Sequence, residues 1–464
     1  MSSSQAHKSH VLTEWAPDDD AFWQRDGKRI ASRNLWISIP CLLLAFSVWL
    51  VWSVVVRKLP AIGFNYDVGQ LFWLAALPGL SGATLRIFYS FMIPIFGGRV
   101  WTTISTLSLI IPAIGIGLAV QNPETPYYVF LILALLCGLG GGNFASSMAN
   151  IAYFYPKKEK GNALALNAGL GNAGVSVMQF VVPIVIVAGV FGSLGGEPQI
   201  AKTATGTEKL WLQNAGYIWV PFLVISSIFA WFGTNDIASA KASFREQSVI
   251  FKRKHNWIMC VLYTGTFGSF IGYSAGFPLL AKTQFPAVDS LQYVFLGPLV
   301  GALSRAATGW VSDKYGGGRV TFWSFLAMIV AVGGVLFFIS IKTEANAFWG
   351  FFACFMVLFM ATGIGNASTF QMIPTIMGQE VKRLEPHLEG AEFNRHAERE
   401  SAAIIAFTSA IAAYGAFFIP KAYGTSISMT GGPSAALWAF MGFYGICVVL
   451  TWIFYTRRNA PVPA

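Results

Sequence analysis

Arg86 is the only charged residue between Leu71 and Phe96, in a run otherwise suited to hydrocarbon. The pattern around it, Gly82-Ala83-Thr84-Leu85-Arg86, returns as Gly301-Ala302-Leu303-Ser304-Arg305. Each arginine is followed eleven residues later by a glycine pair, Gly97-Gly98 or Gly316-Gly317, and then by Arg99 or Arg319. An arginine at the centre of a bilayer costs roughly 2.5–3.5 kcal/mol on insertion scales. Eleven helical residues rise about 16 Å, half of a hydrocarbon core about 30 Å thick, so the spacing puts both arginines near the midplane. A guanidinium is a planar fork of donors that matches planar oxyanions. The chemistry available to such a pair is the binding of an anion.

The inventory of other charges sharpens this. None of the 21 acidic residues falls in the middle of an apolar run, and the five histidines lie in loops or at span ends. Unpaired buried charge is expensive. Either backbone carbonyls satisfy the arginines or a substrate anion does, and the absence of an internal counter-ion favours the anion. The same inventory bears on energy coupling. Proton-coupled carriers place a carboxylate or histidine in the membrane, and tyrosines titrate too high to substitute at neutral pH. A carrier with two uncompensated cations should reorient readily only when loaded, which predicts exchange of one anion for another.

Further candidates surround the arginines. The run from Gly161 to Gly174 contains Gly169, Gly171 and Gly174, small residues that let helices approach closely. Asn172 lies among them as a polar amide deep in an apolar stretch, fit either for a substrate contact or for an interhelical hydrogen bond. This run is no phosphate loop, because no Gly-Lys-Ser/Thr follows. Phe144 and Phe370 lie in two related segments, Gly140-Gly141-Gly142-Asn143 and Gly363-Ile364-Gly365-Asn366 with the residues that follow. Tyr263 and Phe267 are one helical turn apart and share a face. With 39 phenylalanines in the chain, most rings are packing residues, and periodicity alone does not separate these from the core.

The elements that must position these residues are membrane spans. Of 464 residues, 55% are hydrophobic and 11% charged, against about 25% charged in soluble chains. Apolar runs long enough to span fall at roughly 35–57, 69–95, 100–120, 126–154, 162–191 and 215–233, then at 256–281, 290–312, 320–341, 347–377, 399–422 and 434–456. The chain is thus an all-α polytopic membrane protein of twelve transmembrane helices. It reads as an arm (1–34), a six-helix half (35–233), a basic linker (234–255) and a second six-helix half (256–464). Of the 31 lysines and arginines, 22 fall on the side of both termini and 7 on the other, which places both termini in the cytoplasm. The net charge of +10 is accounted for by this topology rather than by nucleic acid. The five cysteines, all in apolar runs, show neither disulfide nor metal spacing, and no cofactor motif or nucleophile–base pair is present.

Gly309-Trp310-Val311-Ser312-Asp313-Lys314-Tyr315-Gly316-Gly317-Gly318-Arg319 resembles the loop signature of the major facilitator superfamily, in which Asp313 and Arg319 would latch one conformation. The first-half copy departs, with Pro94 where the acid would stand. The longer resemblance is to the nitrate/nitrite porter family of that superfamily, close to the bacterial exchangers. It runs from Trp15-Ala16-Pro17-Asp18-Asp19 and Arg33-Asn34-Leu35-Trp36-Ile37 through Phe144-Ala145-Ser146-Ser147-Met148-Ala149-Asn150 and Thr266-Phe267-Gly268-Ser269-Phe270-Ile271-Gly272 to Phe417-Phe418-Ile419-Pro420-Lys421. The family's glycine signature matches at Gly169, Gly171, Asn172 and Gly174, while Ala165 and Ala168 replace glycines. In the eleventh run Gly415 remains and Ala412 and Ala416 replace glycines.

The resemblance implies a major facilitator fold of two pseudo-symmetric halves, with the substrate near the midplane and access alternating between the two sides. It implies that Arg86 and Arg305 bind nitrate or nitrite, that Asn172 and Tyr263 hydrogen-bond it, and that Phe46, Phe144, Phe267 and Phe370 wall the site. It also implies a monomeric antiporter of the bacterial inner membrane that serves nitrate assimilation without a metal or cofactor. The alternatives are proton symport of nitrate, a carrier of another small anion, and an anion channel.

Overall fold

The computed structural model describes residues 10–203, 206–238 and 251–464. The first nine residues of the arm with Lys8, and most of the basic linker with Lys241 and Arg245, lie outside the described residues. Within them, eleven helices are long and apolar enough to cross a membrane, and a bent pair supplies a twelfth. The chain divides into two compact units, residues 1–65 with 81–243 and residues 66–80 with 244–464.

In chain order the spans are α1 (Asp20–Lys58), α2 (Val68–Tyr89), α3 (Gly98–Gln121), α4 (Tyr127–Phe154), α5 (Lys157–Val185) and α6 (Asn214–Gly233). The later six are α7 (Lys254–Gln284), the bent α8 (Ser290–Ala307 with Gly309–Tyr315), α9 (Gly317–Ser340), α10 (Ala347–Leu384), α11 (Glu392–Thr430) and α12 (Ser434–Thr456). Burial separates these helices by role. The most apolar stretches of α1 and α7 are each 89% buried, whereas those of α6 and α12 are 39% and 22% buried. The first helix of each set of six is therefore an interior helix. The last keeps an apolar face exposed, as lipid contact requires. Phe232 on α6 and Trp438 and Trp452 on α12 belong to that exposed apolar surface.

The grouping of residues 66–80 with the second unit departs from the sequence division at the linker. Its cause is close packing of the first turns of α2 on α11. A Cβ on Gly79 would strike the backbone of Ala416, and one on Gly424 would meet Phe72. Lys421 Nζ lies 4.6 Å from the centre of the Trp73 ring.

From residue 10 onward the arm is folded. Strand β1 (Val11–Leu12) pairs in parallel with Asp236–Ile237, and the Asp19 carboxylate caps the start of α1. Lys157 N donates to Asp18 Oδ1 and Trp23 Nε1 to Glu159 Oε1, tying the arm to the start of α5. Trp23, Ala31 and Leu35 bury against Ile151, Phe154 and Ala163. The apolar area of these tryptophans outweighs the polar composition of the arm. The segment after α5 is a hairpin, β2 (Gln199–Thr203) against β3 (Gly206–Leu210), and Asp236–Ile237 is β4.

Both glycine pairs have a conformational role. Gly97 has φ of 84° and Gly316 of 88°, where a side chain is strained. Each turns the chain from the end of an arginine-bearing span into the next helix. The span breaks in both halves shortly after the arginine. Helix α2 ends at Tyr89 and restarts as a short helix, Met92–Phe96. Helix α8 bends by 46° between Ala307 and Gly309.

Candidate functional site

Arg86 is fully buried in the first unit. Its Nε donates to the carbonyl of Gly141 on α4 at 2.8 Å. Its Cζ lies 4.6 Å from the centre of the Phe144 ring and 5.2 Å from that of Trp49. Close approach of α2 and α4 makes this possible, because Gly82 and Gly141 face one another. A Cβ on Gly141 would come within 2.7 Å of Gly82 Cα. Phe46 closes the cluster, its ring 5.3 Å from Trp49 and 6.1 Å from Phe144. The structure thus brings together Arg86, Phe46 and Phe144. It adds Trp49, which the sequence reading missed although its place three residues after Phe46 puts the two on one helix face. The backbone carbonyl held open as one way to satisfy an arginine is present here, at Nε.

Arg305 is the counterpart in the second unit, and its surroundings differ. It is 9% exposed, and Phe370 lies under it at 5.6 Å. Among the described residues its Nη1 has no hydrogen-bond partner and Arg305 forms no ion pair. Tyr263 and Phe267 stack at 5.4 Å with 17° between their planes, and the Tyr263 ring is 6.3 Å from that of Phe370. A widened π-type turn at Thr264–Gly268 displaces the register of α7 here, a device that often marks functional sites. Arg305, Phe370, Tyr263 and Phe267 therefore form one chain of contacts.

Asn172 lies on α5, 1% exposed, and neither of its amide atoms has a hydrogen-bond partner among the described residues. A buried amide left unpaired costs on the order of 1–3 kcal/mol, a cost that a bound water or ligand would remove. Its neighbours press α5 against α1. A Cβ on Gly171 would come within 2.6 Å of Leu42, and one on Gly174 would land on the carbonyl of Leu43. The second unit repeats this crossing, since a Cβ on Gly415 would land on the carbonyl of Gly268. Gly169, by contrast, has open space where a Cβ would go.

Asp313 and Arg319 are both exposed, and neither forms an ion pair among the described residues. The ion pair near a glycine pair lies in the first unit instead. Asp236, just beyond α6, accepts from Arg99 N at 2.8 Å and meets Arg99 Nε at 3.5 Å. The acid that Pro94 displaced is thus supplied from a distant stretch, which the local motif could not reveal.

Other titratable groups cluster at helix ends in the second unit. Arg253 donates to Glu400 and Glu385, and these bonds, the Glu400 bond foremost, hold its guanidinium above its ordinary pKa. His396 completes a set with Glu385 and Glu400 that lies within metal-ligand reach. Arg253 already takes both carboxylates. His255 bonds the Tyr455 hydroxyl and lies 3.6 Å from Glu380.

A family model described as Major Facilitator Superfamily matches residues 35–387. The chain is 51% identical to a protein named nitrate/nitrite transporter NarU from Salmonella typhimurium, over 98% of each chain. It is 41% identical to a probable nitrate/nitrite antiporter, NarK2, from Thermus thermophilus, over 98% of this chain and 99% of that one. Among solved structures, that of a D-xylose-proton symporter superposes with a TM-score of 0.65 at 14% identity, covering 93% of this chain and 98% of that chain. The last likeness concerns the fold alone.

Proposed function

Because this chain belongs to the Major Facilitator Superfamily, we propose that it carries nitrate and nitrite across the bacterial inner membrane by alternating access, exchanging one anion for the other. The observation that carries the reading is Arg305, a buried guanidinium set over a phenylalanine ring with a nitrogen that no described residue satisfies. A planar, weakly hydrated oxyanion suits such a place. It accepts in the plane of the guanidinium, and flat rings exclude water without competing for its charge. Phosphate esters and carboxylates need more donors than these walls of Phe46, Phe144, Phe267 and Phe370 provide. The near-identity in length and the 51% identity to NarU support the choice of anion.

Arg86 and Arg305 bind the anion, and Asn172 and Tyr263 donate to it. The loaded carrier has part of its buried positive charge neutralised, so it reorients at lower cost than the empty one. Exchange follows, in place of net flux. Both termini face the cytoplasm, the protein acts as a monomer, and its transport serves nitrate assimilation. The test is uptake of labelled nitrate into proteoliposomes with and without internal nitrite. Uptake at least tenfold faster with internal nitrite is expected. Rapid uptake into anion-free vesicles driven by a pH gradient would sink the exchange reading in favour of proton symport, and competition by phosphate esters would name another anion.

A further inference from the structure

A cavity of about 10 Å³ lies inside the first unit where α1, α3 and α4 meet. Ser38, Ser105, Thr106, Asn143, Ser146 and Ser147 all line it. The hydrogen bonds of these side chains fix what the cavity presents. Ser105 Oγ and Thr106 Oγ1 donate to the carbonyl of Thr102, and Ser146 Oγ donates to that of Asn143. Their protons are used within their own helices, so lone pairs remain for the cavity. Asn143 is 5% exposed and its Oδ1 has no partner among the described residues. Ser38 and Ser147 share one hydroxyl proton at 2.9 Å, and Asn167 Nδ2 donates to Ser147 Oγ. One hydroxyl proton of that pair is left over. The cavity therefore offers several neutral acceptors, that hydroxyl proton, the side-chain N–H groups of Asn143 and no charge. An anion would face mostly lone pairs there and no cation. A bare cation would lack the carboxylate that compensates its dehydration. A single water gives two hydrogen bonds and takes one, and about 10 Å³ is the space one water needs.

We infer that this cavity binds one structural water, and that through it Asn143 is a positioning residue for the Arg86 site. Asn143 belongs to the same turn of α4 as Gly141, whose carbonyl takes Arg86 Nε, and Phe144, whose ring lies under the guanidinium. Water bonded to Asn143 and to the hydroxyls of α1 and α3 fixes the rotation of that turn. The water site stands on the cavity alone, while its consequence for the anion rests on the exchange reading above.

The test uses the full-length protein. A crystal or electron cryo-microscopy map fine enough to show ordered water is expected to contain one water within hydrogen-bond distance of Asn143 Oδ1. Asn143→Leu removes the acceptor at nearly constant volume and should raise KM for nitrate about tenfold at an unchanged maximal rate. Asn143→Ser keeps an acceptor and should return KM to within about twofold of the parent. A merely structural role would lower thermal stability in both variants without moving KM. An unoccupied cavity in the map, or an unmoved KM in Asn143→Leu, overturns the proposal. If Asn143→Leu does not fold, the map and Asn143→Ser still decide it. If the parent protein fails to exchange nitrate for nitrite, the functional reading falls, and the map alone judges the water.

Discussion

The two arginines share a sequence pattern, an eleven-residue spacing to a glycine pair and a helix break, yet they are held differently. Arg86 is fully buried, bonded to a backbone carbonyl and set against Phe144 and Trp49. Arg305 is 9% exposed, lies near one ring at 5.6 Å, and keeps a nitrogen with no partner among the described residues. Internal repetition conserved the charge but not its environment. The lesson is that the two cations are not interchangeable. Arg86 is part of the packing of its unit, whereas Arg305, on the proposed reading, depends more on the anion.

Replacing each arginine by lysine probes this contrast with the largest effect. Lysine keeps the charge and loses the planar fork, so both variants should lose at least about a hundredfold in exchange rate. The stability effects should differ. Arg86→Lys deprives the Gly141 carbonyl and two rings of their partner and should destabilise by roughly 1–3 kcal/mol. Arg305→Lys should leave thermal unfolding unchanged in the absence of anion. Loss of the stabilisation that added nitrate gives the parent protein is expected in both variants. Equal thermal stability in the two variants would erase the distinction between the pockets, and normal exchange in either would remove that arginine from the site.

The Trp49 ring tests the same contrast from the aromatic side. Its contact with Arg86 is desolvated, where such contacts reach about 2 kcal/mol. Trp49→Leu should therefore raise KM for nitrate on the order of tenfold, measured as initial uptake against external concentration with nitrite inside. A parental KM would mean that Arg86 is held without help from the Trp49 ring.

The sequence made the arginine pair legible because intramembrane charge is rare and its spacing to a glycine pair repeats, although the breaks after Tyr89 and Ala307 mean that this spacing is not a continuous helical rise. Spans were legible for the same reason, since twenty apolar residues leave little choice. Several features were not. Asp236 reaches Arg99 across 137 residues, and no local pattern marks that. The folding of the arm depends on Trp23 meeting Phe154 and Ala163, a tertiary event. The bend in α8 at Thr308 hides in an apolar run whose proline, Pro298, lies ten residues before the break. Trp49 was overlooked because one of 16 tryptophans in a membrane chain has no distinguishing signal until Arg86 is placed against it.

Phe370 should give the smallest effect, and for a reason that separates the two pockets further. At 5.6 Å from Arg305 Cζ the ring is near the outer limit of a cation–π contact, and Arg305 retains some solvent access. Such a contact contributes about 0.5–1 kcal/mol, a factor of roughly two to five. Phe370→Leu keeps an apolar wall and should raise KM for nitrate by that factor, below the effect of Trp49→Leu. The Tyr263 ring touches both Phe267 and Phe370, so removing Phe370 also frees Tyr263 to shift. A loss beyond fivefold would instead mean that a hydroxyl donor bound to the anion has been displaced with it. Comparing Phe370→Leu in the parent with Phe370→Leu in a Tyr263→Phe background separates the two causes. A purely local ring contact gives the same factor in both backgrounds. A smaller factor in the Tyr263→Phe background means that Phe370 acts by holding the tyrosine, and that the second pocket recognises the anion through a supported hydroxyl as much as through its arginine.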